Sequence, residues 1–310
     1  MKVLIAYDGS AYADAALDDL RRAGLPRETE GLIVAVSESL VNPSPSVIAG
    51  SALTRRSVPR ALGLAQAQAA QALEKAKEFA AKAGDRVRSY FPDWEVRAEG
   101  IAGTPSQELG QRADEWKPDL IVVGSQGHSA LGRFFLGSAS KKLASEARSS
   151  VRVARRSVEK SEDAPPRIMI AVDGSPGAER AVRAVGGRVW SGGTEVRIVA
   201  VDDSVSPARI ARILPTATSM IRSSNEEAAE KARQMVEWAE HELRVIGLRV
   251  AVAIEQGEPQ YILIEEARKW DADCIFVGAR GLDNRDERLG LGGVSTGLVT
   301  NASCTVEIVR

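Results

Sequence analysis

Short apolar runs rich in valine and isoleucine alternate along this chain with longer segments whose apolar residues recur every three or four positions. In the first half the runs fall at 2–7, 31–36, 94–99, 119–123 and 150–154. In the second they fall at 167–172, 195–201, 248–254, 273–277 and 305–309. They alternate only weakly in polarity, the pattern of parallel strands covered on both faces. Late in the chain Ala228, Ala232, Met235, Val236, Ala239, Leu243 and Ile246 form one stripe at helical spacing. Its counterpart, roughly 65–83, is alanine-rich, with Leu73, Ala76 and Phe79 or Ala80 on one side. There Glu74, Lys75, Lys77, Glu78 and Lys82 make a solvated charged face over the core stripe. Strand–helix alternation of this kind predicts doubly wound α/β architecture.

The pattern is stated twice. Val3-Leu4-Ile5-Ala6-Tyr7-Asp8-Gly9-Ser10 returns as Ile168-Met169-Ile170-Ala171-Val172-Asp173-Gly174-Ser175. Gly103 through Gly124 matches Gly257 through Gly278, with Trp116 against Trp270 and Asp119 against Asp273. A repeat of this length is a duplicated domain, each copy large enough to bury its own core. The expected division is 1–156 and 167–310, joined by a charged, then proline-rich linker at 157–166. The copies differ most between the second and third strands. Val36 to Val96 spans 60 positions and Val201 to Val250 spans 49. Pro43, Pro45, Gly50 and Pro59 mark the longer stretch, within 37–64, as a surface loop.

Charge and composition then narrow the function. Lys and Arg number 41 against 42 acids, so there is no general electrostatic case for nucleic acid. The first apolar run is too short for a signal peptide and no stretch reaches membrane-spanning length, so a soluble cytoplasmic protein is expected. Of the two cysteines, Cys274 sits in an apolar run and reads as a small buried hydrophobe. His128 and His241 have no partners at ligand spacing and read as solvated surface. Trp116 and Trp270 read as packing residues at helix ends.

The chemistry gathers beyond the carboxyl ends of the strands, where open α/β sheets bind ligands and helix N-termini point their free N–H groups. The Asp8-Gly9-Ser10 turn, the strand end at Val36 and the segment after the fourth strand all fall there. The last reads Val123-Gly124-Ser125-Gln126-Gly127, nine residues, then Gly137-Ser138-Ala139-Ser140. Glycines let the backbone turn sharply and approach a ligand. Ser138 and Ser140 bring hydroxyls, and Lys141 and Lys142 bring positive charge to a helix start, where it opposes the helix dipole unless an anion offsets it. These features describe a phosphate cradle. Glycines for tight turns and serines capping a helix would leave the same residues without a ligand, and the two readings stand side by side.

At these residues the chain resembles the universal stress protein family, in its tandem form and ATP-binding branch. The resemblance implies a five-stranded, mostly parallel sheet in each domain, with helices on both faces and pairing through the last strand. It implies ATP, with magnesium or manganese, its adenine near the first two strand ends and its phosphates on the glycine loop. Carried over, the first-copy site is Ala6, Asp8, Val36, Val123, Gly124, Gln126, Gly127, Gly137, Ser138, Ala139 and Ser140. Asp8 meets the ribose or a phosphate-bound metal, or simply braces the helix start as an Asx turn. In the second copy the matching positions are Ala171, Asp173, Val201, Val277, Gly278, Arg280, Gly281, Gly292, Gly293, Val294 and Ser295.

The second copy departs from the pattern. Ten residues separate Gly281 from Gly292, Gly293 replaces a hydroxyl, and no lysine follows Ser295. Its loop carries Asp283, Asp286 and Glu287 against Arg285 and Arg288, so like charge opposes a phosphate and Arg280 compensates in part. The first site is expected to be the stronger. With no paired base and nucleophile near the loop, a nucleotide-responsive regulator with little or slow ATP hydrolysis is the leading reading. The rivals are a nucleotide-free interaction module with vestigial cradles and an enzyme of adenylate chemistry on a related fold. Strands 150–154 and 305–309 are apolar edges. They are expected to pair within one chain, with a homodimer as a further possibility.

Overall fold

The apolar runs pair into a single ten-stranded sheet because each copy leaves its last strand as an edge and the two edges meet. The computed structural model describes residues 1–38, 57–127, 136–155, 164–203, 218–281 and 290–310. The first copy runs β1 (Lys2–Tyr7), α1 (Ala11–Leu20), β2 (Glu30–Glu38), α2 (Ser57–Tyr90), β3 (Glu95–Gly103), α3 (Pro105–Trp116), β4 (Leu120–Gly124), α4 (Ser138–Glu146) and β5 (Ser150–Ala154). The second runs β6 (Arg167–Val172), α5 (Pro176–Gly186), β7 (Glu195–Asp202), α6 (Thr218–Val245), β8 (Arg249–Gln256), α7 (Pro259–Lys269), β9 (Cys274–Gly278), α8 (Gly293–Asn301) and β10 (Thr305–Val309). The strand order is β3-β2-β1-β4-β5-β10-β9-β6-β7-β8, parallel within each copy and antiparallel only at β5–β10.

This is the doubly wound α/β fold that the alternation predicts, with differences of detail. Strand β3 runs on to Gly103, because it pairs with β2 from Glu30↔Glu95 to Glu38↔Gly103. Residues 57–64, expected in a loop, belong to α2. Pro59 falls in its first turn, where a missing N–H costs no helical bond. Most of the expected linker lies outside the described residues, as do Pro43, Pro45 and Gly50. The stripe on α6 narrows to Met235, Val236, Ala239 and Leu243, with Ala232 half-buried, while Ala228 and Ile246 are exposed.

One substitution explains why the two edges of the sheet differ. A Cβ on Gly100 would lie 2.3 Å from the backbone N of Lys77, so α2 descends onto β3 only because that position is glycine. Ile254 stands at the matching place in β8 and is 62 % exposed, as the helix of the second copy does not cover it.

The faces of the seam are chemically unlike. On the α3, α4, α7 and α8 side, Val151, Val153, Val306 and Ile308 join one apolar core that runs through both copies. On the other side the cores are separate, one around Leu17 and Ile33 and one around Val182 and Phe276. Between them lies a charge network centred on Arg152, opposite Glu307 in the strand register and 1 % exposed. Its guanidinium donates to Asp19 at 2.5 and 3.2 Å, to Glu307 at 2.9 Å and to the Cys274 sulfur at 3.3 Å. Arg188 pairs with the second oxygen of Glu307 and donates to the carbonyl of Ala23. Thr305 donates its hydroxyl to Asp19 at 2.8 Å. Burial works against the charge on Arg152, but Asp19, Cys274 and Glu307 outweigh it and raise its pKa well above the ordinary value.

Deleting one member of such a network strands a buried charge. Arg152→Met is expected to cost about 3–5 kcal/mol of stability, read as the shift of the urea unfolding midpoint. Lys77→Ala, which breaks an exposed pair with Glu74, is expected to change it by about 0.5 kcal/mol or less.

Candidate functional site

The strand order reverses between β1 and β4, and the turns leaving those two strands face each other at the carboxyl end of the sheet. After β1, Asp8 accepts the Ser10 amide at 2.9 Å through Oδ1, and Ser10 accepts the Ala13 amide at 3.2 Å as the cap of α1. The second copy repeats both bonds, Ser175 to Asp173 at 3.0 Å and Ala178 to Ser175 at 3.1 Å. Gly9 and Gly174 between them have φ of +79° and +81°, a conformation that only glycine adopts without strain. The Asx-turn reading of Asp8 is therefore realised through one of its oxygens.

The other oxygen points across the switch point. A Cβ on Gly127 would lie 2.8 Å from Asp8 Oδ2, and one on Gly281 would lie 2.4 Å from Asp173 Oδ2. The first strand's acid and the fourth strand's second glycine are thus brought together in both copies. The apolar floor beneath them is Ala6, Val36 and Val123 in the first copy and Ala171 and Val277 in the second, with Val201 packed alongside.

The glycines of the loop do different jobs. A Cβ on Gly124 would lie 2.7 Å from the carbonyl O of Tyr12, and one on Gly278 2.5 Å from the carbonyl C of Gly177. Those two glycines let α1 and α5 pack closely against the ends of β4 and β9. Gly137 and Gly292 are pinned instead by their amides, to the carbonyls of Ser125 and Ala279, each at 2.9 Å. A Cβ on either would meet protein atoms at ordinary contact distance, 3.6 Å. They cap α4 and α8 with no side-chain acceptor, so the first amides of those helices have no cap bond. Ser138 is exposed at this end with Ala139 half-buried beside it, and Gly293 and Val294 take their places in the second copy.

Two donors expected at the cradle are engaged elsewhere. Ser140 is buried and donates its hydroxyl inward to Gly124 O at 2.7 Å, as Ser295 does to Gly278 O at 2.8 Å. These serines brace the loop. Lys142 leans down its helix to Glu146 at 3.9 Å, which leaves Lys141 as the exposed lysine nearer the cradle. Gln126 is buried, whereas Arg280 at the matching position is half-buried and donates to Gly290 O at 3.3 Å. Residues 128–135 and 282–289, with His128, Arg133 and the acids of the second loop, lie outside the described residues.

Sequence reasoning missed two neighbours. The Phe79 ring packs over Gly9, 2.7 Å from where a Cβ would stand, and meets Tyr7 edge-on. Its helical stripe announced burial and nothing about the turn it covers. Glu258 accepts the amides of Gln260 and Tyr261 at 3.3 and 2.8 Å, capping α7 with a carboxylate at the ligand end of the sheet. Thr104 at the same place in the first copy makes no such bond. Trp116 and Trp270 pack against the shared core at the ends of their helices, as expected. Among the described residues no cluster of three metal-ligating side chains occurs, and no helix is long and apolar enough to cross a membrane.

A doubly wound domain present twice, with a glycine-capped helix at each switch point, defines a tandem α/β protein. The model of the universal stress protein family matches residues 1–155 and 166–310, and the chain belongs to that family. A universal stress protein of Mycolicibacterium smegmatis is 26% identical over 308 residues, covering 99% of this chain and 96% of that one. The universal stress protein YxiE of Bacillus subtilis is 29% identical over 142 residues, covering 46% of this chain and 90% of its own length. A crystal structure of a universal stress protein from Archaeoglobus fulgidus shares the fold at a TM-score of 0.61 and 21% identity, covering 100% and 98% of the two chains.

The unequal glycines give a test that needs no ligand. Gly124→Ala is expected to lose about 1–3 kcal/mol of stability through overpacking against Tyr12. Gly137→Ala, with φ −60° and room for a Cβ, is expected to stay within about 0.5 kcal/mol of the parent. Thermal unfolding of the two variants checks both. Replacing Gly127 displaces Asp8 as well as any ligand, so it is the less discriminating change.

Proposed function

We propose that this chain is an ATP-binding, nucleotide-responsive regulator of stress adaptation, acting in the cytoplasm. On this reading residues 1–156 and 167–310 work as one intramolecular pair through β5 and β10. The observation that carries it is the start of α4. A glycine cap supplies no side-chain acceptor to the first amides, and a Cβ built on it would make only ordinary contacts, 3.6 Å from its nearest neighbour. Such an end binds phosphate through main-chain amides and the helix dipole. Ser138 and Lys141 are the side chains placed to add to that hold. Ala6, Val36 and Val123 would lie under the adenosine.

Asp8 bears on the metal. A carboxylate oxygen directed at Gly127 would repel a phosphate there unless a divalent cation lay between them. Magnesium or manganese suits an all-oxygen site of this kind, and when bound it would neutralise phosphate charge. Main-chain amides, glycines and one carboxylate hold a nucleotide without supplying a paired base and nucleophile, so the function is binding with slow hydrolysis or none.

The first copy is the tighter site in this proposal. The second has Gly293 in place of the exposed Ser138 hydroxyl, acids in its loop, and α7 amides already taken by Glu258. Losses of about 2–3 kcal/mol would separate the sites by roughly thirty- to more than a hundredfold.

Mass spectrometry of small molecules released on denaturation should find ATP or ADP. Calorimetry with ATP and magnesium should give one tight site per chain, weakened about tenfold or more when the metal is chelated. In Asp8→Asn, chelation should make little difference. Two equal sites would overturn the ranking of the copies, and no nucleotide binding at all would overturn the function.

A further inference from the structure

Helices α4 and α8 are short, nine residues each, and each ends without help from its own sequence. Neither has a basic residue in its last turn, and the extended caps Ala147 and Ala302 donate only to Leu143 and Leu298. The last carbonyls of a helix need donors from elsewhere, and helices this short are marginal on their own. Both receive donors from across the seam. Arg310 follows β10 in the second copy, and its Nη2 donates to Ala144 O at 2.6 Å and Ser145 O at 3.3 Å, in the first copy's α4. Arg155 follows β5 in the first copy, and its Nη2 donates to Val299 O at 2.7 Å and Thr300 O at 2.8 Å, in the second copy's α8. The two sets of acceptors are the same positions of the repeat, two and one residues before the helix's last.

We infer that Arg155 and Arg310 are reciprocal clasps, by which each copy holds the far end of the helix whose near end forms the other copy's cradle. Three features support this. A cation at a helix C-terminus completes the dipole that favours an anion at the other end. Arg155 is 8 % exposed and leaves its Nε buried without a partner, so its placement serves the carbonyls at a cost to itself. Arg310 is brought down to about 10 by burial first and by the nearby charge of Arg280 second, and it remains protonated at neutral pH.

The consequence is that neither cradle is complete within its own copy. Loosening the end of α4 at Ala144 and Ser145 frees a helix of nine residues, and Ser138 stands at its other end. These two arginines are positioning residues. Their effect on nucleotide rests on the ATP reading, but the clasp itself does not.

Backbone amide exchange of the full ligand-free chain separates the two ideas. In Arg310→Gln, amides in the second half of α4 should exchange about tenfold faster while α8 is unchanged. In Arg155→Gln the pattern should cross over, with α8 faster and α4 unchanged. Arg→Lys at either position is the milder variant and should restore part of the protection, since a lysine offers charge and donors without the fork. Faster exchange in the mutated copy's own helix, equal change in both helices, or no change would overturn the clasp. If the parent binds ATP at the first copy, Arg310→Gln should weaken that site several-fold and Arg155→Gln should leave it alone; equal weakening by both would overturn the link to the cradle. If the parent binds no ATP, the proposed function fails and the exchange pattern still decides the clasp.

Discussion

The pairing of Arg152 with Glu307 is the constraint on which the rest of this molecule depends. Both side chains are almost fully buried, directly opposite one another on the antiparallel strand pair that joins the two copies. Sliding β10 past β5 by one residue would separate the pair, placing Glu307 on the apolar face while Arg152 stayed on its own, because side chains alternate between faces with a period of two. The network therefore fixes the register of the seam, even though a buried ion pair contributes little net stability compared with apolar packing. Asp19 and Arg188 make the arrangement neutral overall, two guanidiniums against two carboxylates. Arg22, reaching from the first copy to Asp273 in the second at 2.9 Å, adds a further tie on the same side.

A fixed seam has consequences for the carboxyl ends of the strands. With β5 and β10 in register, residues just past each strand land on the helix ends of the opposite copy, and Arg155 and Arg310 occupy those places. The apolar core on that face is continuous, so α4 and α8 share one packed layer across the chain. Interiors packed at this density do not deform gradually. A change at one cradle helix is therefore felt at the seam, a route by which a duplicated protein can act as one unit.

Duplication also shows which features each copy could give up. Both keep the Asx turn, the left-handed glycine, the serine that braces the loop and the glycine cap, which together set the backbone of the cradle. They differ in what surrounds it. Gly100 lets α2 lie on β3, while Ile254 leaves the matching edge uncovered. Glu258 takes up helix amides that Thr104 leaves alone, and Arg280 stands where Gln126 is buried. The framework is common to both copies; the charge around it is not.

The sequence by itself determined the ten strands, their division into two copies and the strand ends at which ligands would gather. Hydrophobic periodicity and the repeat are local signals, and burying valine-rich runs on both faces leaves few alternatives to a parallel sheet. Glycines at 9 and 174 were legible for the same reason, since the turn they make is a property of four consecutive residues. Only the tertiary structure decided what each cradle residue does. Gly124 reads like Gly137 in sequence, yet one is pressed against Tyr12 and the other has neighbours only at ordinary contact distance. Ser140 reads as a ligand donor until Gly124 O, sixteen residues away, is found in its path. Arg152, Arg155 and Arg310 carry no motif at all, because their partners lie 122 to 166 residues distant along the chain. Contacts of that separation are set by how two sheets join, and a pattern with a period of two or 3.6 residues contains no term for it.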